Sequence, residues 1–412
     1  MRKSSILTAI LIMSASLLLS ACVSSGSYNN EPWKPHQTTS AAQTPANISI
    51  TSVEMQALDA PYKQGSPPVK VAILLPLSGK HQKLGQAMLS AAQMALFDIA
   101  HDNFILTPKD TQGTANGARE AAKSAVKDGA QLVLGPVFSA SVKSARQVTQ
   151  NANINMIAFS TDWRLANNKT FLISFLPFDQ VQRVINYAAR SGYRNIGVLS
   201  PRSSYGEAVI SAYKTAANDI GLPPSQIEQF SPNGTDLGNV ISKFSNTGAK
   251  PNAFLMPVGG TVARQVSSFL DHYDMPSRNV KRLGTGLMDD KTLASDKTLD
   301  GSWLAAPSPQ ARQNFERNYN SIYYTNPPRI ASLAYDATAL AAILARIGLE
   351  QNNRPAFDYA SITNPNGFNG VDGIFRFRPD GIVERGLAVL EYRKGSIVVI
   401  DPAPKTFQRD AF

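Results

Sequence analysis

The sequence has 412 residues, 43% of them hydrophobic and 17% charged, with 40 Lys and Arg against 30 Asp and Glu and a single cysteine. One thiol forms no internal disulfide, and four scattered histidines in no metal-ligand spacing leave out a zinc site. No run of five basic residues and no basic stripe with interleaved aromatics occurs, so the charge reads as solvated surface, not a nucleic-acid interface.

Arg2 and Lys3 precede an apolar run from Ile6 to Leu19 and then small residues, the layout of a secretory signal peptide over 1–21. The run is shorter than the about 20 residues a helix needs to cross a bilayer. Leu19-Ser20-Ala21-Cys22 resembles the bacterial lipobox, in which the cysteine is lipidated and becomes the first mature residue. Cys22 is therefore expected to hold the chain to a membrane, each buried acyl methylene contributing about 0.8 kcal/mol. Val23 stands where an Asp in enteric lipoproteins resembles an inner-membrane retention signal, which points to the periplasmic face of the outer membrane.

Residues 22–68 are rich in Ser, Thr, Asn, Gln, Ala and Pro and cannot bury enough apolar surface to offset ordering. They read as a tether whose root-mean-square span as a flexible coil is about 35 to 40 Å.

Beyond the tether, short apolar runs alternate with helical patterns. VKVAILLP (69–76), FILTPKD (104–110) and QLVLGPV (131–137) are each followed by a helix, at 84–100, 115–128 and 141–152. NMIAFS (155–160) and FLISFLP (171–177) follow, and the rhythm restarts with NIGVLSP (195–201), IEQFSP (227–232), NAFLMPVGG (252–260) and KRLGTG (281–286). Continuous apolar strands between helices predict parallel sheets covered on both faces. A single core stops growing near 250–300 residues, so two sheets are expected, with the first crossing near Pro177 to Asp179. Helices at 312–323 and 330–349 come next. Two hairpins then turn at Pro379-Asp380-Gly381 and Lys394-Gly395. The predicted lobes are 69–177 with about 308–350, and 178–307 with about 351–412.

In this order, VKVAILLPLSGKHQKLG (69–85), DGAQLVLGPVFSASV (128–142), MIAFST (156–161), IGVLSPRSSYGEAV (196–209) and the GIFRFRPDG turn resemble the leucine/isoleucine/valine-binding proteins. The resemblance implies an α/β, two-lobed type I periplasmic binding fold, each lobe a mostly parallel sheet flanked by helices. It also implies a ligand between the lobes, at the carboxyl ends of the strands. By that match, Ser139 and Ala140 open a helix whose N–H groups hold a carboxylate, and Ser160 and Thr161 complete the site. Tyr205 closes from the second lobe over a partly apolar guest.

Leu84 matches a first-loop position that often bears an aromatic. Thr261 either lines the cleft after Gly259-Gly260 or caps the following helix. At Thr285 and Gly286 the sequence departs from the pattern, because amino-acid binders supply a carboxylate there for the ligand ammonium. Either Asp289 or Asp290 substitutes, or the ligand is not an α-amino acid; the second reading is preferred, since an unpaired buried ammonium costs several kcal/mol.

A narrower resemblance is to penicillin-binding-protein activators, outer-membrane lipoproteins with a leucine-binding-protein-like domain that stimulates peptidoglycan synthases. Lipobox, tether and degenerate ammonium site carry it. Enteric members also have a helical-repeat domain ahead of this module, where this sequence has the tether. The resemblance implies a peptidoglycan synthase as partner; the alternative is a solute receptor serving an ABC permease. No Gly-x-Ser-x-Gly elbow, dinucleotide fingerprint or phosphate loop is present, so the expectation is a binding protein that is not an enzyme, with no cofactor and no metal.

Overall fold

The computed structural model describes residues 68–99, 103–245 and 250–407. The expected signal peptide, Cys22 and the tether up to residue 67 lie outside the described residues.

In chain order the first lobe begins β1 (Val69–Leu75), α1 (Gln82–Ile99), β2 (Phe104–Asp110), α2 (Ala115–Lys127), β3 (Leu132–Leu134), α3 (Ser139–Asn151), β4 (Asn155–Ala158) and β5 (Thr170–Leu172). The strands form one sheet in the order β2-β1-β3-β4-β5, all neighbours parallel. All but one residue of β1 are buried, as a strand covered on both faces requires. Thr114 caps α2 by accepting from Gly117 N.

The chain then crosses at Leu176–Pro177 into α4 (Pro177–Arg190), β6 (Ile196–Pro201), α5 (Ser204–Asp219), β7 (Ile227–Phe230), α6 (Leu237–Ser245), β8 (Ala253–Leu255), α7 (Gly260–His272), β9 (Lys281–Gly284) and β10 (Trp303–Ala306). Strand β10 was not anticipated; four residues, WLAA, are too few to show a period.

A second crossing returns α8 (Pro309–Tyr323) and α9 (Ala331–Asn352) to the first lobe. There Tyr319 and Tyr323 donate to the Ala87 and Ser90 carbonyls of α1, at 3.3 and 3.0 Å. Helix α9 is apolar enough to cross a bilayer by composition, but it is the core helix of this lobe. Next come α10 (Tyr359–Ile362), β11 (Phe368–Gly370), β12 (Gly373–Phe377) and β13 (Val383–Arg385), then β14 (Ala388–Arg393) and β15 (Ser396–Asp401). The last hairpin completes a seven-stranded sheet, β15-β14-β10-β9-β8-β6-β7, antiparallel only at β10/β14/β15.

One predicted boundary is corrected. Residues 351–386, expected with the second lobe, stand with the first. Ile382 bridges to Leu172, the Phe377 ring lies 5.5 Å from Phe171, and Asn155 Nδ2 donates to the Phe357 carbonyl at 2.7 Å. The small β11-β12-β13 sheet buries Phe375 and Phe377 and satisfies them against the first lobe. The third crossing therefore falls at 386–387.

Gly85 sets how closely α1 approaches β1, since a Cβ there would lie 2.1 Å from the Pro76 carbonyl oxygen. Gly85→Ala is expected to lose about 1–3 kcal/mol in denaturant titration. Gly238→Ala, in α6 with 3.4 Å of clearance to Phe269, is expected to be neutral or to gain up to about 1 kcal/mol.

Candidate functional site

Parallel strands with helices between them put their loops on one side, so each lobe gathers chemistry at the carboxyl ends of its strands. In the first lobe, β3 leads through Phe138 into α3. Ser139 and Ala140 are both exposed, and no side chain caps the helix N-terminus. Its free N–H groups remain open to an anion. Thr161 is exposed beside them, after β4. Ser160 is buried and its Oγ accepts from Asp162 N at 3.1 Å, so that hydroxyl serves its own loop. Leu84, on the first turn of α1, is half-buried against the apolar cluster that runs through both lobes.

The second-lobe rim consists of Tyr205 on α5, the α7 N-terminus after β8 and the turn after β9. Arg282 holds β9 in place: wholly buried, it donates to Asp271, the Met275 and Val280 carbonyls and Ser267. Burial pulls its pKa down to about 10, against the pull of Asp271. From this fixed strand Thr285 accepts a 2.9 Å bond from the Tyr205 hydroxyl, and Gly286 N donates to Gln180 Oε1 at 2.7 Å. Burial pushes the Tyr205 phenol up to about 12, partly opposed by the Thr285 bond, so it remains a neutral donor. Gly259, not Thr261, is the N-cap of α7, which removes the capping reading; Thr261 is exposed on the first turn.

Of the two carboxylates near Gly286, Asp289 is closed to an ammonium, whereas Asp290 gives one oxygen to its own turn. Asp289 pairs with Arg312 of α8, with only 4% and 8% of the two side chains exposed. Asp290 accepts from Thr292 N at 2.8 Å. The second-lobe rim thus turns most of its polar groups on one another, through Gln180, Tyr205, Thr285, Gly286, Asp289 and Arg312, with Arg312 Nε left a 3.4 Å ion pair to Glu316. Gln180 and Arg312 were not anticipated, because their partners lie 106 and 23 residues away in sequence.

Where the lobes meet, Trp163 packs edge-on to Phe178 at 6.1 Å, and Arg164, paired with Asp162 at 2.8 Å, lies within electrostatic reach of Glu207. A pocket of about 20 Å³, room for about one water, opens nearby between Asp179, Gln182, Thr215 and Arg378. It lies at the waist, away from Ser139 and Thr161. Burial, reinforced by Glu384, pushes the Asp179 carboxyl up to about 7, although Arg385 N donates to it at 3.0 Å.

Two outcomes follow from these charges. Asp289→Ala leaves the buried Arg312 guanidinium only the partly exposed Glu316, 3.4 Å away, and is expected to cost about 3 kcal/mol, with Asp289→Ala/Arg312→Met recovering most of it in the same denaturant titration. Because Asp179 has a raised folded pKa, the native state keeps a proton that the unfolded state loses above its ordinary value near 3.8. Its stabilising contribution is complete below that pH and disappears as pH rises to about 7. Asp179→Asn is expected to match the wild type near pH 4 and to gain on it steadily up to pH 7, read as melting midpoint against pH.

The chain is 23% identical over 212 residues to the leucine-, isoleucine-, valine-, threonine- and alanine-binding protein of Pseudomonas aeruginosa, covering 46% of this chain and 54% of that protein. It is 27% identical over 186 residues to the penicillin-binding protein activator LpoA of Photobacterium profundum, covering 44% and 28%. The aligned part thus spans about half of the first relative's length and less of the second's. Among solved structures, a branched-chain amino acid ABC transporter protein of Rhodospirillum rubrum superposes with a TM-score of 0.70 at 17% identity, over 81% of this chain and all of that one. The LpoA (YraM) C-domain of Haemophilus influenzae, a regulator of PBP1A, superposes with a TM-score of 0.61 at 16% identity, over 80% and 99%. At such identities these likenesses show the two-lobed fold alone. The sequence profile of the periplasmic binding protein family matches residues 68–396, most of the sequence, and the chain belongs to that family.

Proposed function

We propose that this periplasmic binding module regulates peptidoglycan synthesis by contacting a penicillin-binding protein, from a lipid anchor at Cys22 on the periplasmic face of the outer membrane. The observation that carries the reading is the second-lobe rim, where Gly286 N, the Tyr205 hydroxyl and Asp289 are all engaged by groups of the chain itself. At this turn Thr285 and Gly286 carry no carboxylate and the buried Asp289 is already paired with Arg312, so an α-amino acid would lack a counter-charge at the turn itself for its ammonium, and burying that charge unpaired costs several kcal/mol. A module that works by surface contact needs no such counter-charge. The likeness to LpoA in both sequence and fold supports the same reading.

A second reading, a solute receptor for an ABC permease, is favoured by the open N-terminus of α3 at Ser139 and Ala140 and by the fold shared with transporter proteins. Its ligand would be a carboxylate without an ammonium, held at Ser139, Ala140 and Thr161 under Tyr205, with Leu84, Thr261 and Gly286 at the rim.

Reconstituting the full chain in membranes with bifunctional penicillin-binding proteins of its own host is expected to raise glycan polymerisation by one of them. Failure with every such synthase overturns the first reading. In a thermal-shift screen, α-amino acids are expected to leave the melting midpoint unchanged. A rise with ammonium-free carboxylates that is lost in Ser139→Pro would favour the receptor, since a ligand of the native state stabilises it by mass action.

A further inference from the structure

The two large sheets end at β2 and β5 and at β7 and β15, and β5 is covered at Leu172 by its bridge to Ile382, which leaves β2, β7 and β15 with one side unpaired in those sheets. Edge strands ordinarily refuse a neighbour by carrying proline or charge. Strand β2 has Pro108 and Lys109, and β7 has Glu228, tied to Lys243 at 2.7 Å. Strand β15 has neither device along Ile397-Val398-Val399-Ile400, and Val399 is 44% exposed.

The turn before β15 determines which backbone groups are free. Lys394 and Gly395, at φ of 50° and 81°, make a two-residue hairpin in which Arg393 faces Ser396. In such a hairpin the flanking pair exchanges hydrogen bonds and every second pair does likewise, so Ser396 and Val398 bond to β14. The N–H and C=O of Ile397 and Val399 therefore point outward. The chain beyond Asp401 leaves this edge: Pro404 lies against Gly386, and Phe407 lies under the Arg376 guanidinium at 4.5 Å.

We propose that β15 pairs antiparallel with β15 of a second copy of this chain, about a two-fold axis through Val398. In that register Ile397 faces Val399 and Val398 faces itself, so every central contact joins two β-branched apolar side chains. Charge selects the same occupant. Lys394 lies at one end of the strand and Asp401 at the other, Arg393 being tied to Glu391 at 2.7 Å, so a two-fold brings Lys394 of each copy beside Asp401 of its mate. Both intrachain partners of Asp401, Arg183 and Arg190, sit on Oδ2, at 2.8 and 3.7 Å.

The test places a single cysteine on the axis. Opposed residues in a non-hydrogen-bonded antiparallel pair have Cα atoms about 4.5 Å apart, within disulfide reach. Val398→Cys in the full chain in membranes is expected to give a covalent dimer on mild oxidation. The wild type, which retains Cys22, sets the background, and Glu228→Cys on β7 is the edge control. Adding Val399→Pro removes an outward N–H without touching the β14 pairing; it is expected to abolish the cross-link while leaving the melting midpoint unchanged. Val398→Cys dimers no more abundant than those of Glu228→Cys, or adducts formed mainly with other proteins, would overturn the proposal.

Discussion

Arg385 sits at the waist through which the chain passes three times, its guanidinium buried in the first lobe and its backbone N–H tied to the second. It is 6% exposed and donates to the Ser174 carbonyl at 3.4 Å, while its backbone N–H holds Asp179 at the start of the second lobe. The rings of Phe175 and Phe375 lie 5.0 and 5.5 Å from it. A buried cation needs counter-charge. Asp336 and Asp372 supply it from α9 and the β11–β12 turn, and Arg329 shares Asp372 at 2.8 Å. Burial, strengthened by the neighbouring Asp372, raises the Asp336 carboxyl, whereas Asp372 is lowered by Arg329 despite its own burial. The two acids are thus shifted in opposite directions within one cluster.

This waist explains why residues 351–386 belong with the first lobe. Their small sheet brings Asp372 to α9 and Arg385 to Ser174, completing the charge cluster beneath the crossings. Had the segment followed the second sheet, Asp336 would have been buried without the Val371 N–H that it accepts, and Arg329 would have lost Asp372. Only after Arg385 does the chain leave, and Leu387 then accepts from Arg183 of α4 at 2.9 Å.

The candidate site lies on the loops that this waist presents. Its two walls differ in chemistry. The first-lobe wall keeps exposed groups at the start of α3, which suits an anion or a partner's polar surface. The second-lobe wall is closed upon itself. Met288 fills the space left by Gly284, the Tyr392 hydroxyl donates to the Met288 carbonyl, and Asp289 is spent on Arg312. Polar groups already paired in the free protein gain little from a ligand that offers the same bonds. A wall of this kind lends itself to shape recognition more than to capture of a charged metabolite.

The sequence by itself determined the alternation of strand and helix, the division into two sheets, the two terminal hairpins and the family resemblance. These features rest on local periodicity and turn chemistry, which a run such as VKVAILL or a pair such as Lys394-Gly395 states within a few residues. The absence of a carboxylate at Thr285 and Gly286 was legible for the same reason. Only the tertiary structure decided the fate of Asp289, the roles of Gln180 and Arg312, the capping of α7 by Gly259 in place of Thr261, and the lobe to which residues 351–386 belong. Each is a pairing between groups far apart along the chain or a choice among neighbouring caps. A charge on a loop carries no mark of its partner until the fold has removed the water between them.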